Sequence, residues 1–150
     1  MKTYARQGGA STIIVHDDGM QCLEPKERDE RISFYAKHDI GWIARPKHDD
    51  SPDGFNRAGR FKKGSNLNYG ISLSLKLEKH LASLKQAGAK DTDEESVEDC
   101  ALNMAIEETF HMAGQRWRPW AANGKSVRIG SIILLIDADT RVPEVNHLFS

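Results

Sequence analysis

The sequence predicts an α/β fold, a doubly wound and mostly parallel sheet with helices flanking it. Two short branched apolar runs, Thr12-Ile-Ile-Val15 and Ile132-Ile-Leu-Leu-Ile136, each stop abruptly at acidic residues. Long stretches with helical spacing lie between them, and strand-like and helix-like segments alternate along the chain. The length, 150 residues, is that of one domain. A globular chain of that size buries roughly 68–70% of its unfolded surface.

Each element has its own signal. Thr12 to Val15 reads as a strand whose carboxyl end carries His16-Asp17-Asp18-Gly19. Pro25, followed by charged residues and Ile32, Phe34, Tyr35 and Ala36, predicts a helix of about three turns with proline in its first turn, where the missing N–H is not needed. Ile40-Gly-Trp-Ile-Ala-Arg45 predicts a second strand ended by Pro46, and His48 to Gly54 a polar, turn-rich loop. Asn66 to Ala87 is the clearest helix: Leu67, Ile71, Leu77, Leu81 and Leu84 share a face, Ser65 or Asn66 caps it, and Gly88 ends it. A further helix is expected from Glu94 to Ala113, with Thr92-Asp-Glu-Glu95 as a capping box and Val97, Cys100, Ala101, Met104 and Ala105 on one face. Residues 88–125 read as a helical insertion in a single domain spanning 1–150. Within it, Arg116-Trp-Arg-Pro-Trp-Ala-Ala-Asn-Gly124 matches no element pattern.

Ile132 to Ile136 is an unbroken apolar run, as in a strand buried on both faces of a parallel sheet. Asp137 and Asp139 follow it two residues apart, so extended geometry projects them the same way, at the strand end where ligands gather. Hard divalent cations prefer such oxygen ligands. Acids at this position also suit a turn that caps a strand, so the pair alone leaves both readings open.

Composition narrows the partners. The formal net charge is −1 and the pI about 6.6, which gives no global electrostatic case for nucleic acid or an anionic membrane. Cys22 and Cys100 lie outside any Cys-x-x-Cys spacing and read as reduced, small buried hydrophobes in a cytosolic setting. No run reaches the ~18 apolar residues of a membrane span, and the start carries no apolar signal core, so a soluble, cytoplasmic chain is expected.

Several motifs fail on inspection. Gly124-Lys125-Ser126 ends like a phosphate-binding loop, but the glycine needed at 119 is Pro119. Asp49-Asp-Ser-Pro-Asp-Gly54 begins like a calcium loop whose twelfth position is Arg60 and not glutamate. Glu108-Thr-Phe-His111 is a single copy of a metal-bundle spacing and reads as helix surface. The stretch from Arg57 to Asn66 is better: four cations and two glycines precede a helix start, which suits a diphosphate cradle. The same stretch also suits a weak RNA-binding patch, with Phe55 and Phe61 as base-stacking rings.

Taken in order, Asp17-Asp18-Gly19, Lys63-Gly-Ser-Asn-Leu-Asn68 and Asp137-Ala-Asp139 resemble the signature of family 2 glycosyltransferases of the cellulose-synthase and chitin-synthase type. The text around them, notably Gly59-Arg-Phe-Lys-Lys-Gly-Ser-Asn-Leu-Asn-Tyr69, is similar to large membrane-bound fungal members, whose catalytic domain faces the cytosol. The resemblance runs from Thr12 to Leu148. It implies a GT-A fold and an inverting, metal-dependent transferase of polysaccharide synthesis that uses a UDP-sugar donor and a glycan acceptor.

By that resemblance Asp17, Asp18 and Gly19 meet the nucleoside, and Lys63, with Asn66 and Asn68 in the same motif, faces the diphosphate. Asp137 then touches ribose or sugar, and Asp139 holds Mn²⁺ or Mg²⁺. The family's general base lies after the Asp-x-Asp motif, beyond Ser150, so no catalytic residue is assigned and this chain by itself is expected not to transfer sugar. The family's first strand also has no counterpart before Thr12, and a truncated, incomplete and marginally stable domain is expected. The alternative is a non-catalytic nucleotide- or RNA-binding module built on the basic loop 57–63.

Overall fold

The computed structural model describes residues 11–57, 62–92, 95–130 and 132–136. The chain is mixed α/β, with one three-stranded sheet in the order β1-β2-β3. Strand β1 is Ile14–His16, helix α1 is Pro25–Lys37 and strand β2 is Gly41–Ala44. Helix α2 follows at Lys62–Gln86, α3 at Val97–Met112, strand β3 at Trp120–Ala122 and the single turn α4 at Gly124–Val127. β1 pairs parallel with β2, Val15 opposite Trp42, whereas β3 runs antiparallel, Ile43 opposite Ala121.

β2 is the axis of the molecule. All four of its residues are buried, and because successive side chains alternate faces, it feeds two cores. Ile43 joins Leu73, Leu77 and Leu81 of α2 and Val97, Ala101, Leu102, Ala105 and Ile106 of α3. Trp42 and Ala44 point the other way, to Met20 and Tyr35 of the α1 side. Helices therefore cover both faces of the sheet, and the two parallel strands end side by side at one edge of the sandwich.

The α2 leucines hold the spacing that the sequence shows, and α2 ends as expected. Gly88 takes the left-handed conformation (φ 80°), with its N–H on Lys85 O at 3.0 Å and the Ala89 N–H on Leu84 O at 3.0 Å. The helix starts about one turn earlier than expected, at Lys62, which places Ser65 inside the helix instead of at its cap. At α3 the capping box splits. Thr92 Oγ1 accepts the Glu95 N–H at 3.0 Å in a separate turn, and Ser96 caps the helix by accepting the Asp99 N–H at 3.0 Å. Met104, expected on the buried face, is 40% exposed.

Segment 88–125 supplies more than a helix. Its Trp-rich part forms β3, and Asn123 then caps α4, accepting the Ser126 N–H at 3.0 Å. Cys22 and Cys100 are free thiols, but Cys22 is exposed, unlike the buried residue expected.

The strand expected at 132–136 is not formed. These residues pair with no described strand, and their side chains are 85, 51, 79, 66 and 53% exposed in order from Ile132 to Ile136. An apolar run becomes a doubly buried strand only where a neighbouring strand and covering helices exist. The described sheet ends at β1, and the last described hydrogen bond before the run is from Ile129 N–H to Ser74 Oγ at 3.1 Å.

The α2–α3 contact buries Leu77 fully, so its truncation leaves a cavity. Leu77→Ala is expected to lose about 2–5 kcal/mol through lost transfer energy and a cavity. Leu75→Ala, at a 63% exposed position of the same helix, should stay within ~0.5 kcal/mol, both read by urea unfolding.

Candidate functional site

The acids after β1 diverge. Neighbouring residues at a strand end point to opposite faces, so Asp17 turns to α1 and Asp18 to the loop after β2. Asp17 is 8% exposed. Its Oδ1 accepts the Gly19 N–H at 3.2 Å, and both of its oxygens accept from Arg31 Nη1, at 3.2 and 3.0 Å. Tyr35 donates its hydroxyl to Oδ2 at 2.9 Å, and burial, aided by this bond, pushes the phenol up to about 12. Asp17 is thus the anchor of α1.

Asp18 faces Arg45, the first residue after β2. The pair is bidentate, Nε to Oδ1 at 2.8 Å and Nη2 to Oδ2 at 2.5 Å. Arg45 is only 1% exposed, a burial that a guanidinium tolerates when paired in this fork geometry. Its Nη1 donates to Ser65 Oγ at 2.8 Å, so one side chain joins the end of β1 to the first turns of α2. Arg57 completes the cluster by donating through Nη2 to Asp18 O at 2.9 Å and to Pro46 O at 3.2 Å.

Behind this cluster, Asn66 Nδ2 reaches His16 O at 3.4 Å. Asn66 Oδ1 and His16 Nδ1 are buried with no hydrogen-bond partner among the described residues. A Cβ at Gly70 would lie 2.0 Å from His16 Cε1, so only glycine lets α2 pass this close to β1. Burial holds His16 below its ordinary 6.5, with Asn66 and Asp18 offsetting this in part.

Beside the cluster an open cleft of about 600 Å³ lies between the loops after β2 and before β3. Lys47 and His48 line one side, Trp117 and Trp120 the other, and Gln21 ties the two by donating to Ala44 O at 3.3 Å and Arg118 O at 3.4 Å. Phe55 meets Tyr69 and Trp117 edge-to-face, at 6.0 and 5.6 Å, and Arg116 lies over the Trp117 ring at 4.4 Å.

Of the residues singled out from sequence, the fold places Asp18 in the Arg45 cluster, Asn66 behind it on His16 O, and Lys63 and Asn68, both exposed, on the opening turns of α2. Asp17 and Gly19 form the turn behind it. Asp137 and Asp139 lie outside the described residues, as do residues 58–61 of the basic loop. No three His, Cys, Asp or Glu side chains gather to hold a metal among the described residues. Arg45 was not singled out, although a cation directly after an apolar strand was its visible signal. His16 and the cleft tryptophans were missed as well, and Ser65 was read as a helix cap.

The discarded motifs resolve locally. In Gly124-Lys-Ser the Gly124 and Ser126 amides are already used: Gly124 N–H donates to Asp99 Oδ1 at 2.7 Å and Ser126 N–H to Asn123 Oδ1 at 3.0 Å, and a Cβ at Gly124 would meet Glu98 O. Asp49 closes an Asx turn on the Ser51 N–H at 2.9 Å. Glu108, on the α3 surface, pairs with His80 at 2.7 Å. Against known proteins, the chain matches no family model, no curated protein and no solved structure.

Asp18→Ala removes the carboxylate to which Nε and Nη2 of the buried Arg45 donate and is expected to cost about 1–3 kcal/mol by chemical denaturation. His16 contributes a pH dependence of known sign. Its folded value lies below 6.5, so the unfolded chain takes up the proton first, and stability present above 6.5 falls as pH drops towards the folded value. Unfolding free energies measured from pH 7.5 to 5 should fall less steeply in His16→Gln.

Proposed function

We propose that this chain binds a nucleotide sugar, of UDP type, as the donor-binding part of an inverting, metal-dependent GT-A glycosyltransferase of family 2 in polysaccharide synthesis. The observation that carries the reading is Arg45. It ties Asp18 of the Asp17-Asp18-Gly19 motif to Ser65 of the Lys63-to-Asn68 motif, two segments far apart in sequence. Motifs that serve one ligand must meet in space, and these meet at the carboxyl end of a parallel strand pair, where α/β sheets take their ligands.

In this reading Asp18 faces the nucleoside from the rim of the cluster, with Asp17 and Gly19 shaping the turn that presents it. Lys63 and the opening turn of α2, with Asn66 and Asn68, meet the diphosphate, where a cation and a helix start favour anionic oxygens. The adjoining cleft, about 600 Å³, has the volume of a small-molecule site. Asp137 and Asp139 are proposed to hold Mn²⁺ or Mg²⁺, which would supply Lewis-acid neutralisation of charge on the departing UDP. The activity proposed for these residues is donor binding.

The rival reading, an RNA-binding module, draws less support. Arg57, the first cation of its loop, is committed to Asp18 O and Pro46 O, and the Phe55 ring packs against Tyr69 and Trp117.

Calorimetric titration of UDP into the chain, with Mn²⁺ and then with chelator, separates the readings. Metal-dependent binding that Asp139→Ala abolishes is the expected result. Binding that ignores the metal and weakens steeply with salt would replace this proposal with the RNA-binding module.

A further inference from the structure

We propose that Arg45 and Ser65 form a positioning strut for the diphosphate half of the donor site, a role that rests on the donor-binding function proposed for the chain. Asp18 fixes the Arg45 guanidinium, Arg45 fixes Ser65, and Ser65 sets the tilt of the α2 turn that carries Lys63.

The base of the strut is rigid. Arg45 follows directly on β2, whose four residues are all buried, and the fork on Asp18, at 2.8 and 2.5 Å, holds its guanidinium in one plane. Asp18 is itself pinned at its backbone, where Arg57 Nη2 donates to the carbonyl at 2.9 Å. A planar group held through two of its nitrogens leaves the third no freedom to swing, so Nη1 meets Ser65 Oγ, at 2.8 Å, from a set direction.

The far end of the strut bears on a part of α2 that the core does not hold. From Gly70 onward the helix is fixed, because Gly70 lies against the His16 ring and Leu73, Leu77 and Leu81 join the core shared with α3. Before Gly70, Lys63 and Asn68 are exposed. Among the described residues, two side-chain bonds tie these opening turns to the strand ends. Asn66 Nδ2 on the His16 carbonyl is long, at 3.4 Å, and the Arg45–Ser65 bond is the short, charge-assisted one. A helix held at Gly70 and braced at Ser65, roughly 7.5 Å nearer its start, has its direction set by two points. Lys63 lies just before the brace, so the reach of its ammonium follows from it.

A diphosphate gains from this arrangement, because rigid placement of the groups that meet it lowers the ordering cost of binding. Uridine carries no phosphate and gains nothing from the brace. The strut therefore divides the ligand: UDP affinity depends on the Ser65 hydroxyl, and uridine affinity does not.

The test is NMR titration of the whole chain with UDP and with uridine, each in the presence of Mg²⁺, for the native sequence and for Ser65→Ala, Ser65→Thr and Arg45→Lys. Ser65→Ala should weaken UDP binding about tenfold and leave uridine binding within about twofold. Ser65→Thr keeps a hydroxyl acceptor and should restore UDP binding. Arg45→Lys keeps the charge but cannot hold the fork and Ser65 together, and should weaken both ligands. Equal loss of both ligands in Ser65→Ala would overturn the proposal by making the hydroxyl a general support of the fold. UDP affinity unchanged in Ser65→Ala would overturn it too, while leaving donor binding standing. A native chain that binds neither ligand would overturn the strut and the donor-binding function together.

Discussion

The buried guanidinium of Arg45 is the constraint on which the carboxyl end of the parallel strand pair depends. A cation at 1% exposure must have its charge balanced in place, because the interior offers no water to do it. That requirement orients the Asp18 carboxylate, draws Ser65 to the same point, and so sets where the first turns of α2 lie against β1. The packing agrees with the electrostatics: one turn later, Gly70 lets the helix backbone run against His16 with no side chain between them. Charge pairing and a missing Cβ thus dock the same helix on the same strand end.

The sequence shows this plan unevenly. Helical periodicity located α2 because Leu77, Leu81 and Leu84 face one partner over several turns, and such a pattern averages out local noise, although Leu73, fully in that core, was not read from it. Strand β2 was legible for the same reason at smaller scale, since a run buried on both faces is apolar throughout. β3 was not legible. Only three residues long and half-buried, it owes its conformation to pairing with Trp42, Ile43 and Ala44, far away in sequence. Helix starts shifted for a related cause. Ser65 has the chemistry of a cap, but its hydroxyl is taken by Arg45, a partner that no local rule contains.

The 132–136 run shows the same limit in the opposite direction. Its residues have strong strand propensity, yet propensity expresses how well a side chain fits a pleated, half-buried surface, and that surface must be supplied by neighbours. Where the described sheet stops at β1, the five residues stay in water. The candidate site was legible as a list of acids and cations and not as a geometry. Adjacent letters suggested that Asp17 and Asp18 act together, whereas the strand's alternation sends one to α1 and the other to Arg45.

That divergence leaves the two carboxylates with different capacities for a ligand. Asp17 takes hydrogen bonds from Gly19, Arg31 and Tyr35 at 8% exposure, which fills most of its acceptor positions and closes it to solvent. Asp18 is 29% exposed, and each of its oxygens accepts one bond from Arg45. A carboxylate has about four acceptor positions, and with Arg57 Nη1 3.9 Å from Oδ2 the remaining ones are the more open on Oδ1, among the described residues. The Arg45 fork holds those positions rigid, since two parallel bonds fix the carboxylate plane where one would let it rotate. Rigidity of this kind lowers the ordering cost of binding, which makes Asp18 the acid of the pair suited to reading a ligand, and Asp17 the one that keeps α1 beneath it.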